Sequence, residues 1–68
     1  MNQETFNLSI RKFLKMVGIN SQREIEQAVA KAIEGKQIGG SESFPVHVTL
    51  EIPRLQVSVR FDGEIKLQ

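Results

Sequence analysis

His47 is the only histidine of the chain, and polar neighbours surround it on the predicted strands. Thr49 follows two residues later, and Ser58 and Arg60 could lie across from it in a sheet, so a base and a hydroxyl nucleophile could share a face. Such chemistry needs a nucleophile, a base and an orienting acid that converge in a pocket. A flat, two-layer domain of this size offers no obvious pocket. We therefore interpret His47 as a solvated strand residue and assign no catalytic residue.

The other residue types that could carry chemistry form no site either. The chain has no cysteine, which excludes a disulfide framework and a Cys-based zinc or redox centre. With one histidine, a metal site would depend on carboxylates alone. Glu24 and Glu26 diverge because they are two residues apart on a predicted helix, and Gly39-Gly40 lacks the lysine and the preceding strand of a phosphate loop. We predict no enzyme, no metal, no cofactor and no small-molecule substrate.

The elements that position these residues begin with a predicted helix over about residues 3–17. Its apolar positions recur at helical spacing, at Phe6, Ile10, Phe13, Leu14 and Val17. Gly18 then occupies the place of a C′ residue, which takes a left-handed backbone that glycine adopts without penalty. Ile19 would make the apolar contact back to the last turn. The pattern predicts that the first helix stops at Gly18.

A second helix is predicted over about residues 22–34. Ser21 and Glu24 have the spacing of a capping box, in which the serine hydroxyl accepts from an N3 amide and the glutamate reaches back. The apolar face consists of Ile25, Ala28, Val29, Ala32 and Ile33. Gly35 would end the helix. The short connection predicts a helical hairpin or a steep crossing of the two helices.

After a flexible connection at residues 35–44, the apolar period changes from 3.6 to 2. Three half-buried strands are predicted at about 46–52, 55–61 and 64–68. For the last two strands, a three-residue loop with Gly63 left-handed in a bulge puts Arg60 opposite Glu64. At Pro53-Arg54 the fixed proline φ excludes the primed hairpin turns, so we expect a type I-like or wider turn, or a break in an edge strand.

These elements predict an α+β fold with two layers, a helix-turn-helix hairpin packed on a three-stranded antiparallel sheet in the order ααβββ. The 68 residues make a single domain, 1–68. A core of this size contributes only about 3–5 kcal/mol of net stability, so oligomerisation is common in this size range. No apolar run resembles a signal peptide or a membrane span, and we expect a cytoplasmic protein with no membrane partner.

One surface stands out on the first helix. Leu8 projects away from the apolar face, among the cations Arg11, Lys12 and Lys15. Single exposed apolar residues are ordinary on protein surfaces. A leucine ringed by cations nevertheless indicates a contact patch for an acidic protein partner or a second copy. We predict these four residues as the partner-binding site.

The helix pair also invites comparison with a DNA-binding helix-turn-helix, but the spacing does not fit. The buried positions of that motif fall on Glu24 and Gln27, whereas Ile25 and Ala28 come one residue late. The net charge is only +1, and DNA affinity rests largely on phosphate neutralisation. We do not expect nucleic-acid binding.

Residues 7–15, Val17-Gly18, residues 21–26 and the closing residues 63–65 together are similar to a family of short, uncharacterised bacterial proteins. The similarity extends over most of the chain. It implies a small cytoplasmic domain and carries no activity, cofactor or catalytic residue.

The leading functional hypothesis is a small, non-enzymatic protein-interaction module that associates with itself. A marginal core, free sheet edges and the position of Leu8 motivate it. Two routes to self-association are open, through pairing of strand edges or through the face of the first helix that carries Leu8. The alternative is a small nucleic-acid-binding regulator that uses the helix-turn-helix-like pair, with Arg11, Lys12, Lys15 and Arg23 on phosphates.

Overall fold

The computed structural model describes residues 1–68 and contains one helix and two strands. Helix α1 spans Gln3–Glu34, strand β1 spans Ser43–Ile52, and strand β2 spans Val57–Lys66. A short 3-10 turn over Pro53–Leu55 joins the strands, which form a two-stranded antiparallel sheet. The predicted helical hairpin on a three-stranded sheet is therefore wrong, because one helix replaces two and two strands replace three.

The chain divides into two compact units, a helical unit over Met1–Gln37 and a hairpin unit over Ile38–Gln68. The helical unit begins with Asn2, whose side-chain oxygen accepts a hydrogen bond from the Thr5 N–H at 3.0 Å. This is the N-cap geometry that satisfies one of the free amides of the first turn. Helix α1 thus begins at the residue that the sequence predicted.

The predicted stop at Gly18 and the predicted second start at Ser21 are wrong. Helix α1 continues through both residues, and no glycine of the chain has a positive φ. The physical reason is a continuous apolar pattern, since Val17, Ser21 and Ile25 follow one another at the four-residue spacing of a single helix face. Breaking the helix would turn the two halves of this face apart, whereas a glycine inside a helix costs only about 1 kcal/mol relative to alanine.

Helix α1 ends at Glu34, where the sequence predicted the second helix to end, but Gly35 does not take the left-handed conformation. Gly35 is the C-cap with φ −80°, and the left-handed residue is Lys36, at φ 58°. The Lys36 N–H donates to the Ile33 carbonyl at 3.0 Å, and the Gln37 N–H donates to the Ala32 carbonyl at 2.8 Å. These two bonds are the Schellman pattern, in which a left-handed C′ residue satisfies the last carbonyls.

In the hairpin unit, the register separates apolar from polar residues completely. One face pairs Phe44 with Ile65, Val46 with Gly63, Val48 with Phe61, Leu50 with Val59, and Ile52 with Val57. The other face pairs Ser43 with Lys66, Pro45 with Glu64, His47 with Asp62, Thr49 with Arg60, and Glu51 with Ser58. Direct cross-strand neighbours share a face, so this register gives the hairpin one apolar and one polar surface.

The predicted turn at Asp62-Gly63 is wrong, because both residues lie inside β2. Arg60 consequently faces Thr49 instead of Glu64. The three predicted strands become two, because β2 unites most of the second and third. Phe61, Gly63 and Ile65 keep the same parity along β2, and Gly63 simply occupies an apolar-face position without a side chain.

The turn between the strands is wider than two residues, which is one of the alternatives that the fixed proline φ left open. Pro53 opens the 3-10 turn, where its missing N–H is not needed, and Gln56 closes it in a left-handed conformation at φ 56°. The Gln56 N–H donates to the Pro53 carbonyl at 3.1 Å. Ile52 therefore pairs with Val57, and not with Leu55 as a two-residue loop would require.

No residue of the chain is buried. The partly buried positions are Val17, Ser21, Ile25, Val29 and Ala32 in the helical unit, and Ile38, Phe44, Val46, Leu50, Val57, Ile65 and Leu67 in the hairpin unit. A chain in which 40% of the residues are hydrophobic thus forms regular elements without an enclosed core. Helix α1 lacks the run of apolar residues that a membrane-crossing helix needs.

Candidate functional site

The four residues of the predicted partner site, Leu8, Arg11, Lys12 and Lys15, are all exposed on one side of α1. Their spacing of three and four residues makes them neighbours on a helix surface. Leu8 is 67% exposed and lines a shallow depression together with Glu4, Asn7 and Arg11. The structure thus groups the four residues as the sequence predicted, and their role in binding stays a prediction.

A residue that the sequence placed elsewhere belongs to the same side of the helix. Ile19 was expected to pack back onto a helix end, but it is 50% exposed within α1. It follows Leu8 by eleven residues, which is close to three helical turns. The Leu8 surface is therefore a row in which two apolar residues flank Lys12 and Lys15.

A larger apolar surface lies on the opposite side of α1. We call it the helix stripe and define it as Phe6, Ile10, Leu14, Val17, Ser21, Ile25, Ala28 and Ala32. Its N-terminal part is open to solvent, with Phe6 46% and Leu14 55% exposed. Ser21 is its only polar member, and Phe13 and the partly buried Val29 border it. The sequence indicated the two halves of this surface but not that they are one.

The second apolar surface is one side of the hairpin. We call it the hairpin face and define it as the cross-strand pairs from Phe44 and Ile65 to Ile52 and Val57. Phe61 is 58% exposed and its partner Val48 is 47% exposed. At Gly63 the face has a gap, where an added Cβ would lie 3.6 Å from a methyl group of Val46.

The polar side of the hairpin carries the residues that could do chemistry, and each is exposed. His47 lies opposite Asp62, a neighbour that the sequence analysis missed because it placed Asp62 in a turn. The Asp62 carboxylate accepts a hydrogen bond from Arg60 Nε at 2.9 Å. Ser58, one of the candidate nucleophiles, lies opposite Glu51 and away from His47. The residues are therefore spread along a flat ladder instead of converging.

Two other candidate arrangements can be placed on the structure. No three histidine, aspartate or glutamate side chains gather where they could hold a metal ion together. The helix-turn-helix comparison needed a turn at Gly18, and α1 is continuous there. The nucleic-acid hypothesis has therefore lost the helix pair on which it rested.

What the geometry offers is exposed apolar surface on both units. Monomeric proteins rarely expose large contiguous apolar patches, and such patches mark surfaces that bind another macromolecule. The helix stripe extends over nearly the whole length of α1, and the hairpin face over every cross-strand pair of one side. These two surfaces are the most extensive apolar features of the chain.

Comparison of the chain with curated proteins and with solved structures found no significant match. Comparison with protein families did find one, which matches residues 1–68 and carries the description "family of unknown function". This match confirms the resemblance to a family of uncharacterised proteins. Because the family match spans all 68 residues, the chain belongs to the family of unknown function DUF6494.

Proposed function

We propose that the chain is a non-enzymatic protein-interaction module whose first partner is a second copy of itself. The observation that carries the proposal is that no side chain is buried although 40% of the residues are hydrophobic. Exposed apolar surface is the outstanding feature of both units, whereas the polar side chains are spread over open surfaces. Association would remove the apolar surface from water and supply the core that each unit lacks.

Neither unit buries a side chain that would stabilise it by itself. A two-stranded hairpin is at best marginally stable in water, and most helical stability in proteins comes from packing an apolar face. Ordering each residue costs about 1–2 kcal/mol of backbone entropy, which buried apolar area must offset. With no buried side chain in either unit, folding and association are expected to be coupled.

The test is the molar mass of the full chain in solution, measured by light scattering over a wide concentration range, together with chemical unfolding at each concentration. We expect a mass of at least twice 7.7 kDa. We also expect that the apparent stability falls by about 1.4 kcal/mol for each tenfold dilution of a two-state dimer, because dissociation accompanies unfolding. A 7.7 kDa species that unfolds cooperatively and independently of concentration would refute the proposal.

A further inference from the structure

We infer that the helix stripe is the self-association surface and that it pairs with the stripe of a second copy in an antiparallel orientation. The inference rests on the proposed function and adds to it the interface and its direction. Three properties of the stripe carry it, namely its spacing, the sizes of its side chains and the charges of the two helix halves.

The spacing makes the stripe suitable for a partner helix along its full length. Successive members are separated by four, four, three, four, four, three and four residues, which is an eleven-residue repeat. This repeat advances 3.67 residues per turn, close to the 3.6 of a straight helix, so the stripe runs almost parallel to the helix axis. A second helix could therefore follow it for nearly the whole of α1, about 48 Å at 1.5 Å per residue.

The side-chain sizes determine the direction. The N-terminal half of the stripe consists of the bulky residues Phe6, Ile10, Leu14 and Val17, whereas three of the four residues in the other half are small, namely Ser21, Ala28 and Ala32. In a parallel pair, bulky residues would meet bulky ones and alanines would meet alanines, which leaves clashes at one end and voids at the other. Placing large residues opposite small ones lets two facing surfaces interdigitate at interior density.

An antiparallel pair gives that match at all but one of the pairings along the stripe. If Val17 of one copy lies beside Ser21 of the other, the same register puts Ile10 beside Ala28 and Phe6 beside Ala32, because the spacing of the stripe reads nearly the same in both directions. Three of the four bulky residues of the N-terminal half then meet a small one, and the fourth, Leu14, meets Ile25. The pair has a two-fold axis, the commonest symmetry of homo-oligomers.

The charges of the two helix halves favour the same direction. In α1 the residues up to Gly18 carry a net charge of +2, from Glu4, Arg11, Lys12 and Lys15. The residues after it carry −1, from Arg23, Glu24, Glu26, Lys31 and Glu34. A parallel pair would set the two +2 halves side by side, whereas an antiparallel pair sets each beside a −1 half. Complementary charge contributes mainly to orientation and specificity rather than to affinity.

The experiment is disulfide trapping with Ile10→Cys and Ala28→Cys, made as separate variants of the full chain, which has no native cysteine. The two variants are mixed in denaturant, refolded together in a glutathione buffer and analysed by intact mass, which distinguishes the mixed disulfide from either self-disulfide. In the antiparallel pair the mixed thiols adjoin, whereas like thiols are about 27 Å apart along the axis. We expect roughly a tenfold excess of the mixed disulfide over either self-disulfide, because distant thiols have a low effective concentration.

The other outcomes are separable. A predominance of self-disulfides would establish parallel pairing, which overturns this inference and leaves self-association standing. A dimer by light scattering that forms no disulfide above the level of unfolded chains would place the interface elsewhere. That result would also overturn this inference and leave self-association standing. A monomer at every concentration would refute the inference and the proposed function together. As a folding control, each variant alone should keep the helical circular dichroism of the wild type.

Discussion

Ser21 follows Val17 by one helical turn on the same side of α1, and both side chains are partly buried. The relationship gives Ser21 a role opposite to the one that its sequence context indicates. As an N-cap, the Ser21 hydroxyl would accept a hydrogen bond from a backbone N–H of a second helix. In the middle of α1, Ser21 is instead a polar residue within an apolar stripe.

The substitution Ser21→Ala distinguishes these roles by the sign of its effect. Removing an N-cap serine costs about 1 kcal/mol, whereas replacing a serine inside a helix by alanine gains up to about 0.5 kcal/mol. We expect an increase in the free energy of unfolding, measured by urea denaturation at a fixed protomer concentration. Ser9→Ala is the matched control, since Ser9 lies within α1 outside the stripe and its hydroxyl donates to the Phe6 carbonyl at 2.7 Å. If Ser21→Ala lowered the free energy of unfolding and Ser9→Ala did not, Ser21 would be the N-cap of a second helix, as the sequence predicted.

Gly63 permits a similar test of the hairpin unit. It sits in β2 opposite Val46 without a positive φ, and an added Cβ would make an ordinary contact at 3.6 Å. We expect Gly63→Ala to stabilise the chain by about 0.5–1 kcal/mol, because glycine weakens a strand interior. Gly63→Val should stabilise at least as much, since β-branched residues suit strands.

The control for Gly63 is Gly40→Ala in the connection, where an added Cβ meets no atom within 4 Å. Gly40→Ala measures the stabilisation that any glycine-to-alanine replacement gives by lowering the conformational entropy of the unfolded chain. If Gly63→Ala were destabilising and Gly63→Val more so, Gly63 would have the left-handed conformation of a turn, and the continuous β2 would be wrong.

Gly18 and Gly63 show where sequence reasoning succeeded and where it failed. The period-2 pattern after Pro45 and the exclusion of a primed hairpin turn at Pro53 followed from local chemistry. At both glycines, however, a local stop signal was preferred over a periodicity that continues across it. Val17 to Ile25 keeps the helical phase, and Phe61 to Ile65 keeps the strand parity. The phase of the apolar pattern is the stronger signal, because it shows which face of a helix or strand must be covered. Glycine permits a left-handed backbone but does not require one.

Two features lay outside the reach of the sequence. The helix ends at Glu34 as predicted, but Gly35 is its C-cap and the left-handed position falls on Lys36, although the adjacent glycine could have taken it. The openness of the apolar surfaces was also not predictable. An amphipathic pattern shows which face is to be covered but not whether the same chain covers it.

Lys36 itself provides a third prediction. A non-glycine residue in the left-handed region is strained by about 1 kcal/mol. We expect Lys36→Gly to raise the free energy of unfolding by about that amount, as the Schellman geometry needs only the backbone at this position. Lys36→Ala is the control, because it removes the charge near the helix end while keeping the Cβ. Equal stabilities of the two variants would mean that the Lys36 conformation is not a source of strain.

The last prediction decides which side of α1 mediates self-association. Ile10 lies in the helix stripe and Leu8 lies on the opposite side, so Ile10→Lys and Leu8→Lys place the same charge two residues apart on different surfaces. A lysine inside an apolar interface must be desolvated without a partner. We expect Ile10→Lys to weaken the dimer by tenfold or more, and Leu8→Lys by less than about threefold, with the dissociation constants measured by sedimentation equilibrium.

The reverse order would identify the surface of Leu8, Arg11, Lys12 and Lys15 as the interface and would contradict pairing through the stripe. If neither variant changed the dimer, Phe61→Lys would test the hairpin face, whose Phe61 and Val48 are also open to solvent. Both variants introduce one lysine at nearby positions of the same helix, so the effect of the added lysine on helicity should be similar in the two. A large difference between them therefore reports the surface on which the charge stands.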